Sequence, residues 1–426
     1  MNNIIYHRNI HDAVHGSFFL HKLLWHIIDT PEFQRLKNIK QTGNVHQVYD
    51  CAYHTRFEHS VAVSYLCKVF LDTLRQRLQY ESDDKFKNLI SNKDILMLQL
   101  AGLCHDLGHC AFSHLYDSLI VPYFDPIADF HHEQVSCLLL KRIFDRDPDF
   151  FIEFQITERD IAFICKLILG CPSKSPASLL EFLNWNKTDY ERLFMFQILA
   201  NESDDKFING VDVDKFDYLK RDCHNIGIST GFDPQRLMQF AYIDTNDYQL
   251  PLKYSIKGHE MIQEMWDART ALHRRAYQHR VVKCYDAMIL EVFKQAGNNF
   301  YVHTSKGEKV LLSKIHYNLD AYIEVTDHIL TEIRHTTQPE LAPARKILQQ
   351  ISSHKHWKTI LTVISKNKIQ DPTLTGISII NCEIGNQYIK YVYQKSEVDK
   401  TKLLELIEEL NANKNCISVE IKTDVR

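Results

Sequence analysis

The sequence predicts a mainly α-helical protein, with a long helical core over residues 1–350 and a small α+β lobe over residues 351–426. Three observations predict it. Glycine (13) and proline (11) are scarce in 426 residues, below the roughly 7% and 5% of average usage, which favours long helices over turn-rich β architecture. Apolar residues recur at helical spacing in one segment after another before residue 297. Strand-like alternation gathers only near and beyond that point.

The elements follow in order. "PEFQRLKNI" opens a helix with Pro31 suited to its first turn, and "QTGNVHQVYDCAYHT" is a glycine-containing connection. "RFEHSVAVSYLCKVFLDTLRQRL" places Val63, Leu66, Phe70 and Leu74 on one buried helical face and contains His59. The polar "QYESDDKFKNLISNKD" breaks the pattern, and "DILMLQLAGLCHDLGH" resumes it as an apolar, hence central, helix ending near Gly108. Further helices are predicted at "HEQVSCLLLKRIF", "ERDIAFICKLILG" and "DVDKFDYLKRDCHNIG", then one unbroken helix from "GHEMIQEMW" to "EVFKQ". The first strands are expected in "NFYVHTSKGEKVLLS", with "SKGEK" as the turn, followed by "TGISIINCEIGNQYIKYVYQK" and "NCISVEIKT". "SKNKIQDPTLTG" is the candidate boundary before them.

Composition bounds the function. Hydrophobic residues at 45% with 11% aromatics support a compact fold, and 50 basic against 54 acidic residues give a net charge of −4. That balance offers no general attraction to nucleic acid, so nucleic-acid binding is not favoured. Eleven cysteines without a C-x-x-C pair read as reduced thiols. The N-terminus lacks a signal-peptide pattern, and no apolar run reaches the roughly 18 residues of a membrane span. The expectation is a cytoplasmic protein without membrane association, the nucleus being the alternative compartment.

The 23 histidines are the outlier. In "AGLCHDLGHCAFSH", His105 and Asp106 differ by about 100° on a helix and can both reach one ion at its edge. His109 follows four residues after His105 and projects from nearly the same face. Further metal ligands must come from other helices, and His59 and Asp214 are the candidates. A second dipeptide, His11–Asp12 in "NIHDAVHG", lacks a surrounding helix and is rejected as the metal site. Asp214, Tyr218 and Asp222 line one stripe at i, i+4, i+8, with Lys215 beside it as a phosphate partner; Arg269, His273 and Tyr277 repeat that spacing. His15, His21, His26 and His46 read as hydrogen-bonded core groups. Arg274 and Arg275 read as exposed or intersubunit residues, and Cys104 and Cys110 are not ligands.

The spacing H…HD…D is the signature of the HD phosphohydrolases. "DTPEFQRLKNIKQTG", "RFEHSVAVSYL", "AGLCHDLGHCAFSHLYD", "HHEQ", "GVDVDKFDYLKRDCHNIGI" and "ALHRRAYQHRV" occur in the order found in the deoxynucleoside-triphosphate triphosphohydrolases. The sequence resembles the vertebrate type, which also carries a SAM domain. The resemblance covers roughly residues 8 to 350 and begins so close to Met1 that no SAM domain is expected. It implies a helical HD core and hydrolysis of dNTPs at the α-phosphorus, releasing deoxynucleoside and triphosphate.

It further implies a transition metal, Fe, Mn or Zn, on His59, His105, Asp106 and Asp214, with Mg²⁺ accompanying the nucleotide. His109, His114 and His132 would surround the scissile bond, oriented by Asp117 and Glu133, the general acid being any of the three. Gln41, Arg56, Lys215, Tyr218, Asp222, Arg269, His273, Tyr277 and Gln278 would bind triphosphate and deoxyribose.

The family assembles as a tetramer on guanine and deoxynucleotide effectors, so a homo-oligomer, dimer or tetramer, is expected. Arg8, Asp29, Gln34 and Lys37 match one effector pocket, and Arg236, His279 and Arg280 the other. Lys37 stands where the family has arginine, His11 where it has asparagine, Ser255 near the place of an arginine, and Thr42 where a leucine sits beside the sugar-contacting glutamine. Lysine lacks the planar fork that reads guanine. These departures predict altered effector dependence, extending to basal activity without GTP, and discrimination against ribose that is either weakened or rebuilt. The rivals are another HD phosphohydrolase, such as a nucleotidase or cyclic-nucleotide phosphodiesterase, and a non-catalytic regulatory or nucleic-acid-binding relative. Lys215, Arg269 and Tyr277 argue against the first, and the complete metal quartet against the second.

Overall fold

A computed structural model describes residues 7–81, 83–170, 192–199, 210–247, 251–368, 377–384, 387–395, 400–413 and 415–421. The chain divides into two compact units: 1–41, 54–113 and 129–268 form one, and 42–53, 114–128 and 269–426 the other.

The first unit opens with a hairpin of β1 (His7–Asp12) and β2 (Gly16–His21), paired antiparallel from His7 opposite His21 to Asp12 opposite Gly16. This corrects the expectation that strands begin near residue 299. The turn is built by Asp12, whose Oδ1 accepts the backbone N–H groups of Val14 and His15 at 2.8 Å each, and by Gly16 at φ +73°. Helices α1 (Lys22–Ile28) and α2 (Pro31–Gln34) follow, the latter capped by Thr30 with Pro31 in its first turn as predicted.

Helix α3 (Arg56–Glu81) buries Val63, Leu66, Phe70 and Leu74, the face its periodicity predicted. Helix α4 (Asn92–Cys104) starts at a Ser91/Asp94 capping box and buries every residue from Met97 to Cys104, which suits its apolar composition. It stops at Cys104 rather than near Gly108, so His105–Gly108 form a turn instead of continuing the helix. Helices α5 (His132–Arg146), α6 (Glu158–Leu169) and α7 (Val213–Ile226) lie where expected, the last two stopped by Gly170 and Gly227 at positive φ.

The helix expected over 258–295 is interrupted. Helix α8 (His259–Leu272) runs into a π-helical turn at His273–Tyr277, and α9 (Arg280–Ala296) restarts from His279, whose extended backbone and ring nitrogen cap it by accepting the Val281 N–H at 3.3 Å. In the second unit, Tyr301–His303 and Lys309–Leu311 make the predicted hairpin. Four antiparallel strands follow in the order 416–421, 358–365, 387–394, 377–384, and Lys400–Ala412 forms a helix. Ile360, Leu361, Val363, Val392, Leu403, Ile407 and Leu410 form their shared core. The fold is the mainly helical one predicted, with strands concentrated at the C-terminal end. The connection "SKNKIQDPTLTG" falls largely outside the described residues.

Candidate metal centre

Three helices of the first unit deliver one cluster. His59 lies in the first turn of α3, Asp214 in the first turn of α7, and His105 and Asp106 in the turn behind α4. Ligand-type atoms of His59, His105 and Asp214 all lie within 4.8 Å of one another. His59 Nε2 is 3.0 Å from Asp214 Oδ1 and 3.4 Å from Asp106 Oδ2; His105 Nε2 is 3.4 Å from an oxygen of each carboxylate. The structure therefore brings together all four residues expected to hold a metal.

The two imidazoles are oriented from behind. His59 Nδ1 lies 2.7 Å from Asp217 Oδ2, and His105 Nδ1 lies 2.8 Å from the Gly102 carbonyl, both of which can only accept. That directs the proton to Nδ1 and the lone pair to Nε2 in each neutral ring. Both Nε2 atoms are buried and make no hydrogen bond. Two imidazole nitrogens that offer lone pairs once the rings are neutral, beside two carboxylates, fit a divalent transition metal.

The electrostatics agree. Burial pulls the His59 pKa down, but Asp214, Asp217 and Asp106 outweigh it and hold it up at about 10 in the metal-free chain. Burial likewise opposes a charged His105, and Asp106 and Asp214 overcome it. Burial would raise Asp214 and Asp106, yet the two histidines hold Asp214 well below the carboxylate range, and Arg56 with both histidines does so for Asp106. The cluster demands positive charge, which protonated imidazole or a divalent cation can supply.

The acid–base candidates stand beside it. The His109 and His132 rings stack at 3.6 Å, with Nε2 atoms 3.5 and 3.9 Å from Asp106 Oδ1, and Glu133 lies 3.5 Å from His132 Nδ1. This packing depends on Gly108. Ser136 Oγ donates to the His105 carbonyl at 2.7 Å and accepts from the Gly108 N–H at 2.8 Å, and a Cβ on Gly108 would sit 2.0 Å from the His132 carbonyl oxygen.

Arg56, expected at the substrate, is committed to the centre: it ion-pairs with Asp106 and donates from Nε to Ser113 Oγ at 2.9 Å. Ser113 in turn donates to the Lys40 carbonyl at 2.8 Å, holding Phe112 and Ser113 at φ 63° and 55°, a left-handed backbone that costs roughly 1–2 kcal/mol per residue. Gln41 Oε1 is buried without a hydrogen bond. Lys215 is buried against Asp212 at 2.8 Å, and Asp212 is pushed up to about 6 by burial that this lysine opposes. Tyr218 is half-buried, while Asp222 accepts from His54 Nε2 at 2.6 Å.

The expected effector residues form exposed pairs: Arg8 with Asp29 at 2.8 Å, and Lys37 with Gln34 at 2.7 Å, Gln34 also donating to the Ile28 carbonyl. Arg236 is exposed on the short helix Pro234–Met238. The second unit carries His114, Asp117, Arg269, His273, Tyr277, Gln278, His279 and Arg280. There the His273 and Tyr277 rings meet edge to face at 5.0 Å, and His273 is lowered to about 4 by burial, then Arg269, Lys283 and His114. Tyr391 and Tyr393 hydroxyls donate to the Gln278 and Arg280 carbonyls. Arg274 and Arg275 are exposed.

The four histidines read as core groups are hydrogen-bonded or stacked: His15 on Asp217, His21 capping α1, His26 on Phe150 and His46 on the Gly43 carbonyl. Sequence reasoning passed over Asp217, His54, Ser113 and Ser136. Asp217 was visible in principle, since Asp214, Asp217 and Arg221 share an i, i+3, i+7 face.

A histidine–aspartate centre assembled on helices in this manner defines an HD domain, and the HD domain family model matches residues 56–221. Over 355 residues the chain is 38% identical to deoxynucleoside triphosphate triphosphohydrolase SAMHD1 of Bos taurus, covering 82% of this chain and 58% of that protein. The Homo sapiens protein of that name is 38% identical over 356 residues, covering 82% and 54%. The SAMHD1 homolog of Dictyostelium discoideum is 32% identical over 399 residues, covering 92% of this chain and 69% of that protein. The chain belongs to the SAMHD1 family. It spans little more than half the length of the vertebrate relatives it matches. Among the described residues, no helix is long and apolar enough to cross a membrane, and no disulfide joins two cysteines.

Proposed function

We propose that the protein is a metal-dependent dNTP triphosphohydrolase that releases deoxynucleoside and inorganic triphosphate, and so lowers dNTP pools. The observation that carries this is the cluster of His59, His105, Asp106 and Asp214, in which both imidazole Nε2 atoms are buried and make no hydrogen bond, set beside stacked His109 and His132. Fe, Mn or Zn would be held by the quartet and, when bound, polarises a phosphoryl oxygen and activates water.

The chain's own residues do the rest. Arg56 fixes Asp106, while Asp217 and the Gly102 carbonyl fix the two imidazoles. His109 and His132 would hold a proton for the deoxyribose 5′ oxygen, a poor leaving group unless protonated, and such an acid contributes roughly 10²–10⁴-fold. The family resemblance assigns Gln41, Arg56, Lys215, Tyr218, Asp222, Arg269, His273, Tyr277 and Gln278 to nucleotide binding, and His114 and Asp117 to the acid–base set. Lys215 would have to exchange Asp212 for a phosphate.

The test is incubation of the protein with each dNTP and Mn²⁺ or Mg²⁺, with products resolved. Triphosphate plus deoxynucleoside, lost in Asp214→Ala, is expected; monophosphate products or no turnover would overturn the reading. Effector binding by guanine or deoxynucleoside triphosphates and a homo-oligomeric state are part of the same proposal, with relaxed effector dependence because Lys37 is paired with Gln34 rather than offering a guanidinium fork. Sedimentation and activity with and without GTP test it; strict GTP dependence would refute the relaxed form. Comparing dGTP with GTP tests Thr42, whose hydroxyl, buried and without a hydrogen bond, would meet a ribose 2′-OH in this reading; a strong preference for dGTP would refute it.

A further inference from the structure

Behind His59 lies a closed network of buried polar side chains that reaches the N-terminal hairpin. Asp217 is fully buried and accepts four hydrogen bonds: from His59 Nδ1 at 2.7 Å and Arg221 Nε at 2.8 Å on Oδ2, and from His15 Nε2 at 2.7 Å and Arg221 Nη2 at 3.0 Å on Oδ1. Arg221 Nη2 also donates to Asp12 Oδ2 at 2.8 Å, and Asp12 Oδ1 accepts the His15 backbone N–H. The hairpin turn thus presents His15 to the carboxylate that orients a metal ligand.

We propose that Asp217 is a positioning residue that holds His59 with its Nε2 lone pair toward the metal, and that His15, brought by the hairpin turn, is a second positioning residue acting through Asp217. Two observations fix the directions of the bonds. Arg221 can only donate, so both Asp217 oxygens are acceptors and each imidazole must supply an N–H. His15 Nδ1 is buried without a partner, and an unpartnered lone pair there leaves the proton on Nε2, where Asp217 takes it. With two donors from Arg221 and one from His15, Asp217 has a single remaining preference, for the His59 Nδ1 proton. Carboxylates behind metal-bound histidines are typically worth roughly 10–100-fold in metal affinity.

The inference rests on the metal reading of the centre, and the experiment separates the two. Apo-protein is titrated with Mn²⁺ or Zn²⁺ against a chromophoric chelator, with folding followed by circular dichroism in metal-free buffer. Asp217→Asn keeps the shape but turns an amide N–H toward one of the two histidines; a roughly 10–100-fold loss of metal affinity in the folded protein is expected. His15→Phe, which removes the donor, should weaken metal binding by a smaller factor. His15→Gln, whose amide can donate near the place of Nε2, should restore it. If Asp217→Asn does not fold, the His15 pair decides. Parental metal affinity in folded Asp217→Asn, or in both His15 variants, overturns this inference alone. Failure of the parent chain to bind either metal overturns the metal reading with it.

Discussion

The chain contains the same dipeptide twice, and its two copies have opposite fates. His105–Asp106 stands in a turn behind a buried helix, with His59 and Asp214 within 3.4 Å of it. His11–Asp12 ends a β-strand: His11 faces outward against Ser17, and Asp12 folds the hairpin turn and ion-pairs with Arg221. A histidine and an aspartate become a metal centre only where other elements bring further ligands to them. Elsewhere the same pair is architecture, although here that architecture is joined to His59 through Arg221 and Asp217.

The comparison breaks most directly at the carboxylates. Asp106→Asn should lower metal-dependent turnover by more than about 100-fold, beyond the loss typical of residues that merely orient a ligand. Asp12→Asn should retain the Asx turn and most turnover while weakening a buried ion pair, at a cost of about 1–3 kcal/mol. Thermal unfolding and turnover measured on both proteins check this. Equal loss of activity in the two would erase the distinction.

The glycines that follow sharpen it. Gly108→Ala drives a Cβ into the His132 backbone, which cannot yield without moving the His109–His132 pair, and should cost about 2–4 kcal/mol together with activity. Gly16→Ala meets nothing within 4 Å and suffers only its φ of +73°, about 1 kcal/mol, with turnover intact. One glycine is needed for space and the other for conformation. Denaturant melts and a dNTP assay on each variant tell the two apart.

This contrast also explains which parts were legible in the sequence. Helices such as α3, with an apolar face at helical spacing, and α4, apolar throughout and opened by a capping box, were readable because local signals and burial agree. The β1–β2 hairpin was not, because its turn depends on Asp12 bonding to Val14 and His15 in a segment with little strand-like alternation. Strand 358–365 was hidden as a short apolar run, which periodicity alone cannot separate from helix. The interruption at 273–279 is a π-helical turn followed by an extended residue, His279, and leaves no mark on the apolar pattern. At the candidate centre, motif order singled out the four residues that the structure brings together, while Ser113 and His54 were missed because their partners come from distant segments, and Asp217 was passed over although its helical spacing from Asp214 was readable.

The charges gathered around the His105–Asp106 copy also give a pH response. In the metal-free protein His59 stands above its usual 6.5, so its protonated form stabilises the fold fully below about 6.5 and that contribution is lost as pH rises through about 10. Asp106 and Asp214 stand below the usual 3.8, so theirs is present above about 4 and lost as pH falls through their folded values. A divalent cation held by the cluster would take the place of the His59 Nε2 proton, which would pass to solvent. Metal-loaded protein should therefore keep its melting temperature on the alkaline side where metal-free protein loses it, and apparent metal affinity should climb over the same interval. Melting curves from pH 5 to pH 10, with Mn²⁺ or with chelator, test this; superimposable profiles would separate His59 from the metal.

The smallest effect belongs to His11. Its ring is exposed and its one side-chain hydrogen bond, to Ser17 Oγ at 3.0 Å, is solvent-accessible, so His11→Ala should change stability by no more than about 0.5 kcal/mol. The neighbouring Asp12 and its links to Arg221 and His15 are made by other atoms, so metal affinity should also stay at the parental value. If the effector assignment holds, the variant alters only the concentration of GTP or dNTP needed for full activity, which an activation curve reads. A fall in metal affinity would instead mean that the strand and the metal centre are tied through His11 as well as through Asp12 and His15, and that the rejected dipeptide belongs to the centre after all.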